Sequence, residues 1–148
     1  MKTNKLIWLF LIACLGFCRP AFSQERKYSV WFADSEMTRF PQAWQLDHGK
    51  RLFFGYAQGV GCCAMLKTWK LTGDAKYYDY VYQWADSIIY SDGSIHKYTP
   101  ETYNIDFINS GKVLFDIYEQ TGNPKYRKAM DLLIKQIGRA SCRERVLV

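Results

Sequence analysis

The residues best suited to chemistry lie in a long polar segment between Tyr90 and Asn109, which runs from Ser91 to Asp106. At its end Asp106 places a carboxyl where an apolar run begins. A helix starting there would keep the carboxylate ionised through its dipole and free N–H groups. Asn104 adds an amide and Tyr103 an aromatic face, and Trp44 and Tyr56, further upstream, add two more rings. Such a set suits a saccharide, because aromatic faces stack on sugar rings while Asp and Asn hydrogen-bond to hydroxyls. The same residues admit a plainer role. An Asp before a helix beginning at Phe107 is a common N-cap, and Trp44, Tyr56 and Tyr103 would serve equally well as core or rim aromatics. Composition does not choose between the two.

Other chemistries have less support. The chain has only two histidines, His48 and His96. Of its five cysteines, Cys14 and Cys18 fall in an N-terminal apolar segment and Cys142 in an unusual tail, which leaves the adjacent Cys62 and Cys63. These read as small core hydrophobes. No ligand set for a transition metal is present, and no cofactor is expected.

The elements that must position Asp106 are helices. Leu71-Thr72-Gly73-Asp74-Ala75-Lys76-Tyr77-Tyr78 returns 49 residues later as Gln120-Thr121-Gly122-Asn123-Pro124-Lys125-Tyr126-Arg127. That is the period of a helical-hairpin array. In each copy Gly can end one helix and Asp or Asn can cap the next, with Pro124 at a first helical position. Tyr77, Val81, Trp84, Ala85 and Ile88 share one face at helical spacing, as do Tyr126, Met130, Leu133 and Ile137, which predicts amphipathic outer helices. Val60 to Leu71 and Val113 to Tyr118 are apolar nearly all round and predict inner helices buried on two sides. Arg26 to Arg39 predicts a further helix stopped by Pro41, residues 41 to 54 a connection, and Ser94 to Tyr98 at most a short extended stretch. About two and a half hairpins result. Such units bury their apolar faces only against neighbours, so apolar surface is expected at the last of them.

Both ends of the chain look foreign to this array. Residues 1–23 have the form of a secretory signal, with Lys2 and Lys5, an apolar run from Leu6 to Phe17, and Ala21-Phe22-Ser23 as a cleavage site. A secreted or periplasmic location follows as an expectation. Leu11-Ile12-Ala13-Cys14 is the rival, a lipoprotein box that would put a lipid on Cys14. Residues 137–148 have no apolar helical stripe, and Ile137 to Val146 resembles the translation of a common sequencing adapter in all ten codons. The folded domain is therefore expected over residues 24–136. The two ends hold six of the 20 Lys and Arg and one of the 14 acids, so the net charge of +6 falls to +1 between them. That removes the case for a nucleic-acid or anionic-membrane partner.

Several stretches in order resemble one family: Phe32-Ala33-Asp34-Ser35 with Met37 and Arg39, then Trp44 and Asp47, then Gly55-Tyr56-Ala57-Gln58-Gly59, the Thr-Gly-Asp turn, and Tyr103-Asn104-Ile105-Asp106-Phe107-Ile108-Asn109-Ser110-Gly111-Lys112. Together they are similar to the unsaturated rhamnogalacturonyl and glucuronyl hydrolases, glycoside hydrolase families 105 and 88, over about residues 30 to 136. The resemblance implies an all-α fold, an (α/α)6 barrel of which this chain would be the incomplete N-terminal part. It implies a glycosidase acting on oligosaccharides that end in a 4,5-unsaturated uronic acid. Asp106 matches one of the family's two site aspartates and Tyr56 a pocket aromatic; Tyr103, Asn104 and Trp44 are expected beside them as substrate contacts. The other aspartate, the acid/base, has no match, so the fragment itself is expected to be inactive. Phe53 and Phe54 depart from the family's usual Trp. Other (α/α)-barrel sugar enzymes, epimerases or lyases, and a non-catalytic helical-repeat module that binds carbohydrate are the alternatives.

Overall fold

The repeated Thr-Gly sequence folds the same way twice. In the computed structural model, which describes residues 22–102 and 104–144, Gly73 and Gly122 both take left-handed backbone, with φ of 74° and 61°. Each closes the preceding helix, donating its N–H to Trp69 O and Tyr118 O respectively. Asp74 Oδ1 and Asn123 Oδ1 then accept from the N–H of Lys76 and Lys125, both at 3.1 Å. Thr72 and Thr121 complete the match, their hydroxyls accepting from the next N–H but one. Helix end, turn and helix start are thus encoded locally.

Five α-helices follow: α1 (Phe22–Arg39), α2 (Tyr56–Thr72), α3 (Ala75–Ile88), α4 (Asp106–Thr121) and α5 (Pro124–Glu144). Helix α1 begins four residues before the expected Arg26 and stops short of Pro41, whose ring disfavours helical backbone before it. The connection to α2 includes a 3-10 turn at Ala43–His48, in which Asp47 and His48 both have positive φ, 58° and 56°. Extended structure is limited, among the described residues, to one antiparallel bridge, Ile89 to Ile95.

Helices α2 and α4 form the inner layer, and the packing between them is the most extensive in the molecule. A Cβ on Gly59 would sit 2.7 Å from Ser110 Cα and 2.8 Å from Ser110 N, so only glycine permits this approach. Outside lie α1, α3 and α5. The predicted stripe of α3 (Tyr77, Val81, Trp84, Ala85, Ile88) is wholly buried, and so are Tyr126, Met130 and Leu133 of α5.

Long side chains tie the outer helices to one another. Tyr77 Oη and Lys76 Nζ reach Asp34 of α1, each at 2.9 Å. Tyr126 Oη and Lys125 Nζ reach Asp86 of α3 at 2.9 and 2.7 Å. The lysine bonds, and then the tyrosine bonds, hold both carboxyls below their ordinary range against the opposing effect of burial.

Three expectations need correction. Among the described residues the inner helices are not covered on two sides, since Val60 and Phe115 are exposed and no described element lies over that face. Ile137 is half exposed rather than part of the buried stripe. Cys62 is buried, but Cys63 is only partly so and lines a groove. Helix α5 continues past the buried Gln136 to Glu144, and Arg139, Ala140, Arg143 and Glu144 are all good helix formers. The expected apolar surface is found between α4 and α5, where Phe115, Ile134 and Ile137 flank Ile108, Met130 and Leu133.

Candidate active site

Tyr56 and Asp106 are each the first residue of an inner helix. Both are exposed. Two side chains fasten the helix starts together: Ser110 Oγ donates to Gly55 O, and Asn109 Nδ2 donates to Tyr56 O at 3.4 Å. Asn109 lies one turn from Asp106 on the same face of α4. An aromatic ring, a carboxylate and an amide are therefore gathered at one end of the inner layer.

Asp106 does not cap α4. Ile105 holds the cap position, and Asn104 Oδ1 accepts from the Asp106 N–H at 2.9 Å. The amide of Asn104 thus does the capping and leaves the Asp106 carboxylate turned to solvent. This assigns Asn104 a positioning role that the sequence did not separate from sugar binding.

The loop carrying Asn104 is held from beneath. Gln136, buried in α5, donates through Nε2 to Asn104 O at 3.4 Å and accepts from Tyr98 Oη. Phe107 packs edge-on against Phe53 and Tyr98, with ring centres 5.7 and 5.5 Å apart. Phe54 stacks on Trp84, whose Nε1 donates to Phe53 O at 3.2 Å. The two phenylalanines that depart from the family's Trp thus form a floor under α4.

Trp44 is elsewhere. Its side chain packs half-buried against the core, and its carbonyl, with that of Leu46, accepts from the buried amide of Gln58. Among the described residues no hydrogen bond or ring contact links Trp44 to Tyr56 or Asp106. Tyr103 lies outside the described residues, as do Cys14 and Ala21, whereas Phe22 and Ser23 of the expected cleavage site fall in the first turn of α1. Tyr56 also borders a groove of about 550 Å3 between α1, the 3-10 turn and α2, with Phe32, Arg39, Asp47 and His48. Asn109, Ser110 and Gln136 were assigned no role from the sequence. For Asn109 the signal existed, a polar residue three positions from Asp106 and so on the same face of the helix.

Comparison with known proteins gives the family of the chain. The family model described as Glycosyl Hydrolase Family 88 matches residues 28–145. The chain belongs to that family. It is also similar to a solved structure, a family 105 glycoside hydrolase of C. acetobutylicum ATCC 824, at 37 % identity and a TM-score of 0.66. That match covers 76 % of this chain and 29 % of the other, so the chain spans under a third of that protein's length. The two-layered helices are part of an (α/α)6 barrel, as the resemblance implied.

Proposed function

We propose that the barrel to which these helices belong removes a 4,5-unsaturated uronic acid from oligosaccharides left by a polysaccharide lyase. The observation that carries the reading is the exposed Asp106 carboxylate, freed from capping by Asn104, beside Asn109 and Tyr56 at the shared end of the inner helices. Family membership and the 37 %-identical hydrolase support it.

The reaction is a hydration. A proton adds to C4 of the enol-ether double bond, water supplies hydroxyl to C5, and the hemiketal so formed opens, expelling the neighbouring sugar. Here Tyr56 stacks on the ring and the Asp106 carboxylate accepts from a substrate hydroxyl or from the attacking water. The proton donor to C4 needs a carboxyl kept neutral. A second acid from the remainder of the barrel completes the pair, and these 148 residues alone do not turn over substrate. Processing of the N-terminal segment and a secreted or periplasmic location belong to the same proposal.

The test is loss of the ultraviolet absorbance of the conjugated double bond, followed with a complete barrel that contains this segment and with its Asp106→Asn variant. Turnover abolished by the substitution without loss of stability is the expected result. An unaffected rate would remove Asp106 from the chemistry.

A further inference from the structure

Gln136 is a polar side chain set deep in α5, with 5 % of its surface exposed. A buried amide that loses its partners costs stability, so its bonds fix what can lie around it. Its Nε2 donates to Asn104 O at 3.4 Å, and its Oε1 accepts from Tyr98 Oη. Turning the amide over would set two acceptors, Oε1 and Asn104 O, against each other. One orientation therefore serves both partners.

Both bonds lead to Asp106. Asn104, held by its carbonyl, offers its own Oδ1 to the Asp106 N–H at 2.9 Å. Tyr98, held by its hydroxyl, packs its ring edge-on against Phe107, the residue after Asp106, with ring centres 5.5 Å apart. The carboxylate-bearing turn is thus gripped on either side of Asp106 by contacts that converge on one side chain of the next helix. The loop is bent to make this possible. Lys97, just before Tyr98, has a φ of 55°, and the 3-10 turn at Pro100–Thr102 packs on α5. Left-handed backbone at a residue with a side chain is strained and persists only where the surroundings impose it. The bonds from Asn109 and Ser110 to α2 are separate, and fix Tyr56 against α4 one turn further along.

We propose that Gln136, together with Tyr98, is a positioning residue for Asp106: it holds the first turn of α4 from the following hairpin, so that the carboxylate keeps its aim at the substrate. The inference rests on the reading of Asp106 as part of a hydration site. Gln136 and Tyr98 act through Asn104 and Phe107 rather than on the sugar. The aim of the carboxylate is therefore set by a helix that carries none of the site residues.

Gln136→Leu, close in size but unable to hydrogen-bond, tests it in two settings. In the 148-residue chain, exchange of the Asp106 amide proton followed by NMR rises about tenfold. In a complete barrel that contains this segment, kcat falls by about ten- to a hundredfold while KM stays within about twofold, because Tyr56 keeps its own bonds. Gln136→Leu combined with Asn104→Ala lowers kcat no further than the more damaging of the two alone, since both release the same turn. Tyr126→Phe, which weakens the fold away from this loop, is the control and leaves kcat unchanged. An unchanged exchange rate at Asp106, a kcat in Gln136→Leu no lower than in Tyr126→Phe, or losses that multiply in the double variant would each overturn the proposal. Normal turnover by Asp106→Asn would instead sink the hydration reading, and the exchange rate would still decide whether Gln136 holds the turn.

Discussion

Tyr126 Oη donates to Asp86 Oδ1 across 2.9 Å, and 49 residues earlier Tyr77 Oη makes the same bond to Asp34 Oδ1 at the same length. In both cases the preceding lysine reaches the same carboxylate. One carboxylate on each outer helix thus receives the first turn of the next. Burial, more than any other cause, pushes both phenols upward, so they remain neutral donors.

Tyr126→Phe removes one bond to a charged acceptor and is expected to lower stability by about 1 to 2 kcal/mol. Tyr77→Phe should cost a similar amount, and because the two clamps share no residue the double variant should show the sum. Urea-unfolding midpoints measure all three. A double variant no less stable than either single one would show that the clamps are not independent.

The same carboxylates set an acid limit. Asp34 and Asp86 titrate below the unfolded value of 3.8, chiefly through the bonds from Lys76 and Lys125. A folded pKa below the unfolded one contributes stability above the unfolded value, lost as pH falls through the folded pKa. Melting temperature should therefore drop as pH falls below about 4. The drop should be shallower in Asp86→Asn, which is already less stable at neutral pH.

Gly59 and Gly138 predict opposite outcomes for one substitution. Alanine at Gly59 meets the Ser110 backbone within 3 Å, so the inner helices must separate at a cost of about 1 to 3 kcal/mol. Alanine at Gly138 meets nothing within 4 Å and should add roughly 0.5 to 1 kcal/mol of helix stability. Thermal melts of the two variants decide both.

Asn104 and Asp106 separate positioning from chemistry. Asn104→Ala removes a bond to the first turn of α4 and should cost about 1 kcal/mol. Amide exchange across residues 104–108 should rise with it. Asp106→Asn should leave exchange and stability nearly unchanged. A large stability loss in the second variant would mean that the carboxylate serves the helix after all.

What could be read in advance was local. The Thr-Gly turns, the stripe of α3 and the apolar character of α2 rest on residues a few positions apart, and each was placed within a turn or so. The clamps were not legible, because Asp34 and Asp86 lie 39 to 43 residues from their partners and nothing near them marks an acceptor. Gln136 likewise reads as an ordinary polar residue until the fold brings Tyr98 and Asn104 to it. Asp106 was found as a residue of interest, but its role at the helix start depended on whether Asn104 would reach the backbone first.

The two layers are joined by unequal spacers. Inside, Gly59 lets one backbone touch the next; outside, neighbouring helices are bridged by long Lys, Tyr and Asp side chains. Each unit is consequently narrower at one end than at the other. Tapered blocks laid side by side turn through a fixed angle at every step, so a glycine and a lysine together set the radius at which the ring can close.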